Sequence, residues 1–280
     1  MKGLYLGTSC TYVHDGRQKT KTVEMKLTDI KLSKAVLPLL RLRPERNEIN
    51  DFKVCLRNLI DKINVAEQRP KDESEEHLKN DIRDFLRDSF YKNTNAINTK
   101  DRKDLVIHKD KTTDSKVCVI IEAKRPKNKS EMLSFDNPNK KALHELVLYY
   151  MGERMSGNID IQYLIATNIN EWYVFESKYF EKYFYKPEFI KEYNEWSKKM
   201  KVTSNTDLFY NEIVKPYIDT ITDDIPCIFF DIGEYEQVIK QDDKKEDAKL
   251  LTLYKLLSPY FLLKKEFADD SNELDQNFYL

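Results

Sequence analysis

Glycine is scarce in this chain, with six residues in 280, and none falls in a GxGxxG or P-loop pattern. The Gly-rich turns that cradle nucleotide phosphates or S-adenosylmethionine are therefore not expected. Cysteine is sparser still. Cys10, Cys55, Cys118 and Cys227 have no CxxC spacing, and Cys118 sits in an apolar run, so neither structural zinc nor disulfides are indicated. Such usage is that of a reduced, cytoplasmic protein. His14, His77, His108 and His144 are scattered, which argues against a histidine metal site. No apolar run approaches the eighteen or so residues of a membrane span, and the start MKGLYLGTSC lacks a long signal core. An excess of positive charge is missing too: the formal net charge is −1, which argues against a uniformly basic nucleic-acid binder.

What is present is a globular composition, 40% hydrophobic and 34% charged, in a chain long enough for one sizeable core and an appendage. The charge is unevenly distributed. From Lys100 to Lys129 there are ten Lys or Arg against five Asp or Glu, whereas Asp219 to Asp247 holds ten acids against three lysines. A basic belt of this kind can neutralise phosphates, and an ordinary solvated hairpin loop accounts for it equally well.

The stretch VIIEAKRPKN, residues 119–128, ends an apolar run that starts at Val117 and has the β-branched composition of a strand buried on both faces. Side chains two apart on a strand share a face, which projects Glu122 and Lys124 together, about 6–7 Å apart along the chain. A lone ExK is most often a strand-end salt bridge. Upstream, Leu105 to His108 reads as a second strand with Asp104 at its entry, and the polar segment HKDKTTDSK makes the two runs an antiparallel hairpin. That pairing lets Asp104 meet Glu122. Two carboxylates held together need a shared proton or a divalent cation between them, and oxygen ligands beside a lysine suit a hard metal such as magnesium.

Asp104 followed by Glu122-x-Lys124 resembles the D…(D/E)xK core of the PD-(D/E)XK nuclease superfamily. The proline of that motif is replaced by Lys103. The longer wording KDLVIHKD…VIIEAKRP…ALHELVLYYMGER is similar to the N-terminal nuclease region of type IIG restriction-modification proteins, over roughly residues 30 to 185. The resemblance implies that Asp104 and Glu122, with the Ala123 carbonyl, hold Mg²⁺, and that Lys124 orients the attacking water. It also implies an acid on the first core helix: Glu75, placed by helical phase near the apolar face of Leu78, Ile82, Phe85 and Leu86, with Glu76 the alternative. Arg125 is read as a phosphate contact or a surface residue. Many members carry a Gln-x-x-x-Tyr-like pattern on the helix after the catalytic strand. Here His144, Glu145 and Tyr149 stand in that neighbourhood without a Gln, and helix packing explains the tyrosines.

The other elements follow from periodicity. A hairpin turning at Asp15-Gly16 is expected first, then a helix carrying the stripe Phe52, Leu56, Leu59, Ile60 and Ile63. Ser74 is the N-cap expected for the next helix. The helix over NKKALHELVLYYMGER puts Leu143, Val147 and Tyr150 on one side, and two strands, IQYLIATN and EWYVFES, are joined by an Asn-Ile-Asn turn. The expected fold is α/β: a small mixed β-sheet flanked by helices, restriction-endonuclease-like, with N-terminal and C-terminal helical extensions. The divisions are 1–69 for the N-terminal hairpin and helix, 70–186 for the nuclease core, and 187–280 for a helical extension that contains the strand-like PCIFFDI. The closing SNELDQNFYL reads as a helix start without a stop signal, so a truncated end is expected, with methyltransferase and target-recognition domains downstream. The expected activity is Mg²⁺-dependent hydrolysis of DNA phosphodiesters, with no membrane partner and a transient dimer for double-strand cleavage. The alternatives are a catalytically silent DNA-binding module and a structure-selective or RNA-directed nuclease.

Overall fold

The computed structural model describes residues 9–14, 17–22, 25–68, 75–100, 103–200, 206–240 and 244–267, with side chains described within 25–65, 76–100, 103–199, 206–240 and 248–267. Strands β1 (Ser9–His14) and β2 (Arg17–Thr22) form an antiparallel hairpin whose register closes at His14 and Arg17. The turn residues Asp15 and Gly16, like the expected cap Ser74, lie outside the described residues.

The other described residues build and flank one open, seven-stranded mixed sheet. After β3 (Leu27–Asp29) and the short α1 (Leu32–Ala35) come two helices, α2 (Arg46–Gln68) and α3 (Glu75–Leu86), which bury the apolar positions that recur every three to four residues. Phe52, Leu56, Leu59, Ile60 and Ile63 of α2 are buried, as are Leu78, Ile82, Phe85 and Leu86 of α3. Strands β4 (Ile97–Lys100), β5 (Lys103–His108) and β6 (Val117–Ala123) then form an antiparallel run. Helix α4 (Lys141–Met155) crosses over to β7 (Tyr163–Thr167), which lies parallel to β6, and β8 (Glu171–Glu176) returns antiparallel to β7. Next come α5 (Ser177–Phe184), α6 (Pro187–Met200), a helical stretch over 207–218 and β9 (Ile225–Asp231). The strand order is β3-β9-β8-β7-β6-β5-β4.

Strand parity divides the core. Odd positions Leu105, Ile107, Val119, Ile121 and Ile165, with Val174 paired opposite Ile165, pack with α2, α3 and the helix Lys244–Leu257, while even positions Val106, Ile120, Leu164 and Ala166 pack with α4. The stretch after residue 186 is thus more than a helical extension. Its strand β9 sits inside the sheet between β3 and β8, and the Tyr91 hydroxyl donates to the Leu257 carbonyl at 2.8 Å, joining chain segments 166 residues apart.

Helix α4 departs from the one-sided pattern. Besides Leu143, Val147 and Tyr150, it buries Leu146, Leu148 and Met151, because Phe180 and Phe184 of α5, Phe189 of α6 and Phe209 of the 207–218 stretch lie in the same core. At the end of β7, Ile169 takes φ 72°, an uncommon value for a β-branched residue. The turn is held by Asn168 Oδ1, which accepts from the Glu171 N–H at 2.7 Å, and by Thr167 Oγ1, which accepts from the Ile169 N–H at 2.9 Å. The Thr167 carbonyl accepts from the Lys124 N–H at 2.8 Å, so this turn also fixes the residue that follows β6. Among the described residues no helix is long and apolar enough to cross a membrane.

Candidate active site

The β5–β6 register pairs Leu105 with Ile121, which brings Asp104 across from Glu122 at the next position. Asp104 Oδ2 accepts the Ala123 N–H at 3.0 Å, and Asp104 Oδ1 lies 2.6 Å from Lys79 Nζ of α3. Lys124 leaves the strand end in the direction of Glu122, with Nζ 2.7 Å from Glu122 Oε1. A second carboxylate closes on the same ammonium: Glu145 of α4 is also ion-paired to Lys124, and Glu131 Oε2 lies 3.9 Å from it. Glu122 is 1% exposed and Lys124 3%, so the simple strand-end salt bridge reaching water does not describe this pair.

The electrostatics follow from that enclosure. Burial, then the negative charges of Glu145 and Asp104, push the Glu122 carboxyl well above the usual carboxylate range, against the opposing pull of Lys124. Burial alone would discharge Lys124, yet Glu122 and Glu145 outweigh it and hold the ammonium above its ordinary value. Tyr149, one turn beyond Glu145, has its phenol pushed up by burial and by the charges of Glu122 and Glu145. His144 is bonded to another partner: its Nε2 lies 2.6 Å from Asn139 Oδ1, and burial together with Lys215 lowers its pKa to about 4.

Of the residues singled out by sequence, Asp104, Glu122, Lys124 and the Ala123 backbone come together. Glu75 begins α3, but its side chain lies outside the described residues. Glu76 is 65% exposed, 4.0 Å from Lys79, and Arg125 is exposed. Helix α3 does reach the centre, and the described side chain that does so is the cation Lys79. Two contributors have no site role in the sequence reading: Glu145, named there only as a neighbour of the absent Gln although it is the one acid in the run ALHELVLYYM, and Lys79, which lies on a helix surface crowded with charge and carries no such signal.

Among the described residues, no three or more His, Cys, Asp and Glu side chains gather as a metal cluster. Of the four ligands expected from sequence, Asp104, Glu122 and the Ala123 backbone lie among the described residues, and the Glu75 side chain does not. What is assembled fits a smaller requirement. Asp104 and Glu122 repel each other, and Glu122 meets a second acid, Glu145, in the same enclosed space. A buried carboxylate in that state is costly unless a proton or a cation meets it. Magnesium is commonly held by one or two protein carboxylates plus substrate phosphate oxygens, and this set can supply the two.

No curated protein and no solved structure matches the chain. One family profile does, over residues 30–270, a span that takes in all seven strands of the sheet except the first. The chain belongs to the family described as Domain of unknown function (DUF7149).

Proposed function

We propose that the chain is a metal-dependent nuclease module that hydrolyses DNA phosphodiesters at Asp104, Glu122 and Lys124, as in the nuclease part of a restriction-modification enzyme. The observation that carries this reading is the enclosed acid-acid-lysine set: two mutually repelling carboxylates on paired strands, one of them also set against Glu145, and a lysine held charged beside them. Retaining such charges in a core is expensive without a task for them. Asp104, Glu122 and the Ala123 carbonyl would hold Mg²⁺. Bound there, the ion would polarise the scissile phosphate and lower the pKa of water.

The chain's own residues divide the remaining work. Lys124, locked by the Thr167 carbonyl at its backbone and by two carboxylates at its tip, keeps a positive charge where negative charge grows on the phosphoryl oxygens. Glu145 holds that ammonium in place from the opposite element. Lys79 neutralises Asp104 in the resting chain and must shift from it when Asp104 takes a ligand.

That last contact favours a second reading. A lysine already seated on Asp104 is what a catalytically silent DNA-binding module would keep, since it removes the need for a metal. The experiment is cleavage of plasmid, single-stranded DNA and RNA with and without Mg²⁺, using Asp104→Asn as control because the amide oxygen can still accept the Ala123 N–H. Mg²⁺-dependent cutting lost in Asp104→Asn supports the nuclease. Metal-independent cutting, or no cutting with retained DNA binding, rejects it, and cutting of RNA alone redirects the substrate.

A further inference from the structure

A cleft of about 520 Å³ opens between the ends of β4 and β5, the second half of α4, and α6. Its volume lies in the range of small-molecule sites. It adjoins the candidate active site by two routes: Tyr149, on its wall, is one helical turn from Glu145, and Lys103, on its rim, immediately precedes Asp104.

Its lining combines positive charge with aromatic surface. Lys100 and Lys103 stand at one side, and Tyr193 and Trp196 of α6 at the other, with ring centroids 5.8 Å apart. Lys103 is buried and held 3.0 Å from Glu153, whose second oxygen accepts from Asn158 at 2.7 Å. The cleft floor at this point is a braced polar wall, unlike a loose surface depression.

The floor also includes Gly152, in the body of α4. Glycine is a poor helix former. Packing does not require it here, because a Cβ at that position would meet only the Tyr193 hydroxyl, at an ordinary 3.6 Å. What the missing side chain leaves is open space in the cleft.

We propose that this cleft binds one unpaired nucleotide of the substrate strand, its base against Trp196 and Tyr193 and its phosphate toward Lys100. The ligand class rests on the nuclease reading. A planar π-surface beside lysines is the usual recipe for single-stranded nucleic acid, where aromatic stacking tolerates any base and cations track the backbone. Because the cleft wall reaches Tyr149, one helical turn from Glu145, a base held here would set the position of the neighbouring phosphate relative to Lys124.

The chain has two tryptophans, and Trp172 is fully buried, so quenching of intrinsic fluorescence reports on Trp196. The full chain in EDTA is titrated with the tetranucleotide of deoxythymidine, with thymidine and inorganic phosphate as controls. Saturable quenching by the tetranucleotide, absent with phosphate alone, is expected. Anisotropy of the fluorescein-labelled tetranucleotide should show at least about fivefold weaker binding to Trp196→Leu, the scale of one stacked base, and a several-fold loss for Lys100→Ala, which removes a rim charge and little packing. If Trp196→Leu does not fold, Lys100→Ala decides alone. Binding without quenching, unchanged binding by the variants, or equal quenching by phosphate overturns the proposal. The two readings also separate: DNA cleavage without quenching removes the cleft and keeps the nuclease, whereas specific quenching without cleavage of any substrate keeps the nucleotide site and removes the nuclease.

Discussion

At the scale of single residues, Lys124 is the pivot, because two buried carboxylates depend on its charge. Lys124→Ala should slow single-turnover cleavage by about 10² to 10⁴, the range for a positioned charge or proton-handling group. It should also destabilise the chain by about 3–5 kcal/mol, since Glu122 and Glu145 would face each other unpaired. Adding Glu145→Gln to that variant should restore much of the stability, read by urea unfolding, and none of the activity. Restored activity would reduce Lys124 to a structural partner. A second prediction concerns pH. The carboxyl of Glu122 sits above its unfolded value, so its contribution to folding is full below the ordinary glutamate range and is lost as pH rises through the shifted value. Without divalent metal, Glu122→Gln should therefore melt higher than the parent at pH 8, and the gap should close as pH falls toward 4.5. A gap that widens in acid would show that Glu122 is ionised and stabilised in the folded chain.

At the scale of elements, α4 does two jobs whose demands conflict. It is buried on nearly every side, yet it carries Glu145 into the site and keeps Gly152 in its body. Gly152→Ala should raise stability by about 0.5–1 kcal/mol, because alanine is the better helix former and its Cβ meets no close neighbour. Thermal melts check this. A loss of stability would mean that α4 and α6 are packed more tightly than the 3.6 Å approach to Tyr193 implies.

For the whole molecule, the basic belt shrinks once the fold is known. Lys103 and Lys124 are buried in ion pairs, and Lys109, Lys111, Lys116, Arg125, Lys127 and Lys129 are the exposed cations among the described residues of the belt. If four to six phosphates are met there, log K for duplex DNA should fall with log salt at a slope of about −4 to −5, independent of sequence. Titrating two unrelated duplexes between low and physiological salt tests this. A slope near −1, or tight binding to one duplex only, would move recognition elsewhere in the chain.

The sequence by itself determined the local elements and the partners within the β5–β6 hairpin. The stripe from Phe52 to Ile63 requires a buried helix face, and strand parity with a hairpin register is enough to bring Asp104, Glu122 and Lys124 together. Those relations act over a few residues or across one turn, so spacing alone encodes them. Tertiary structure decided what comes from far away in the chain: Lys79 on Asp104, Glu145 on Lys124, and the Thr167 carbonyl that anchors the Lys124 backbone. It also decided that β9 belongs inside the sheet and that α4 is covered on its outer side. None of these has a periodicity to read, because each depends on how separately formed elements stack, and the apolar area that drives stacking does not specify which charged side chain is carried inward with it.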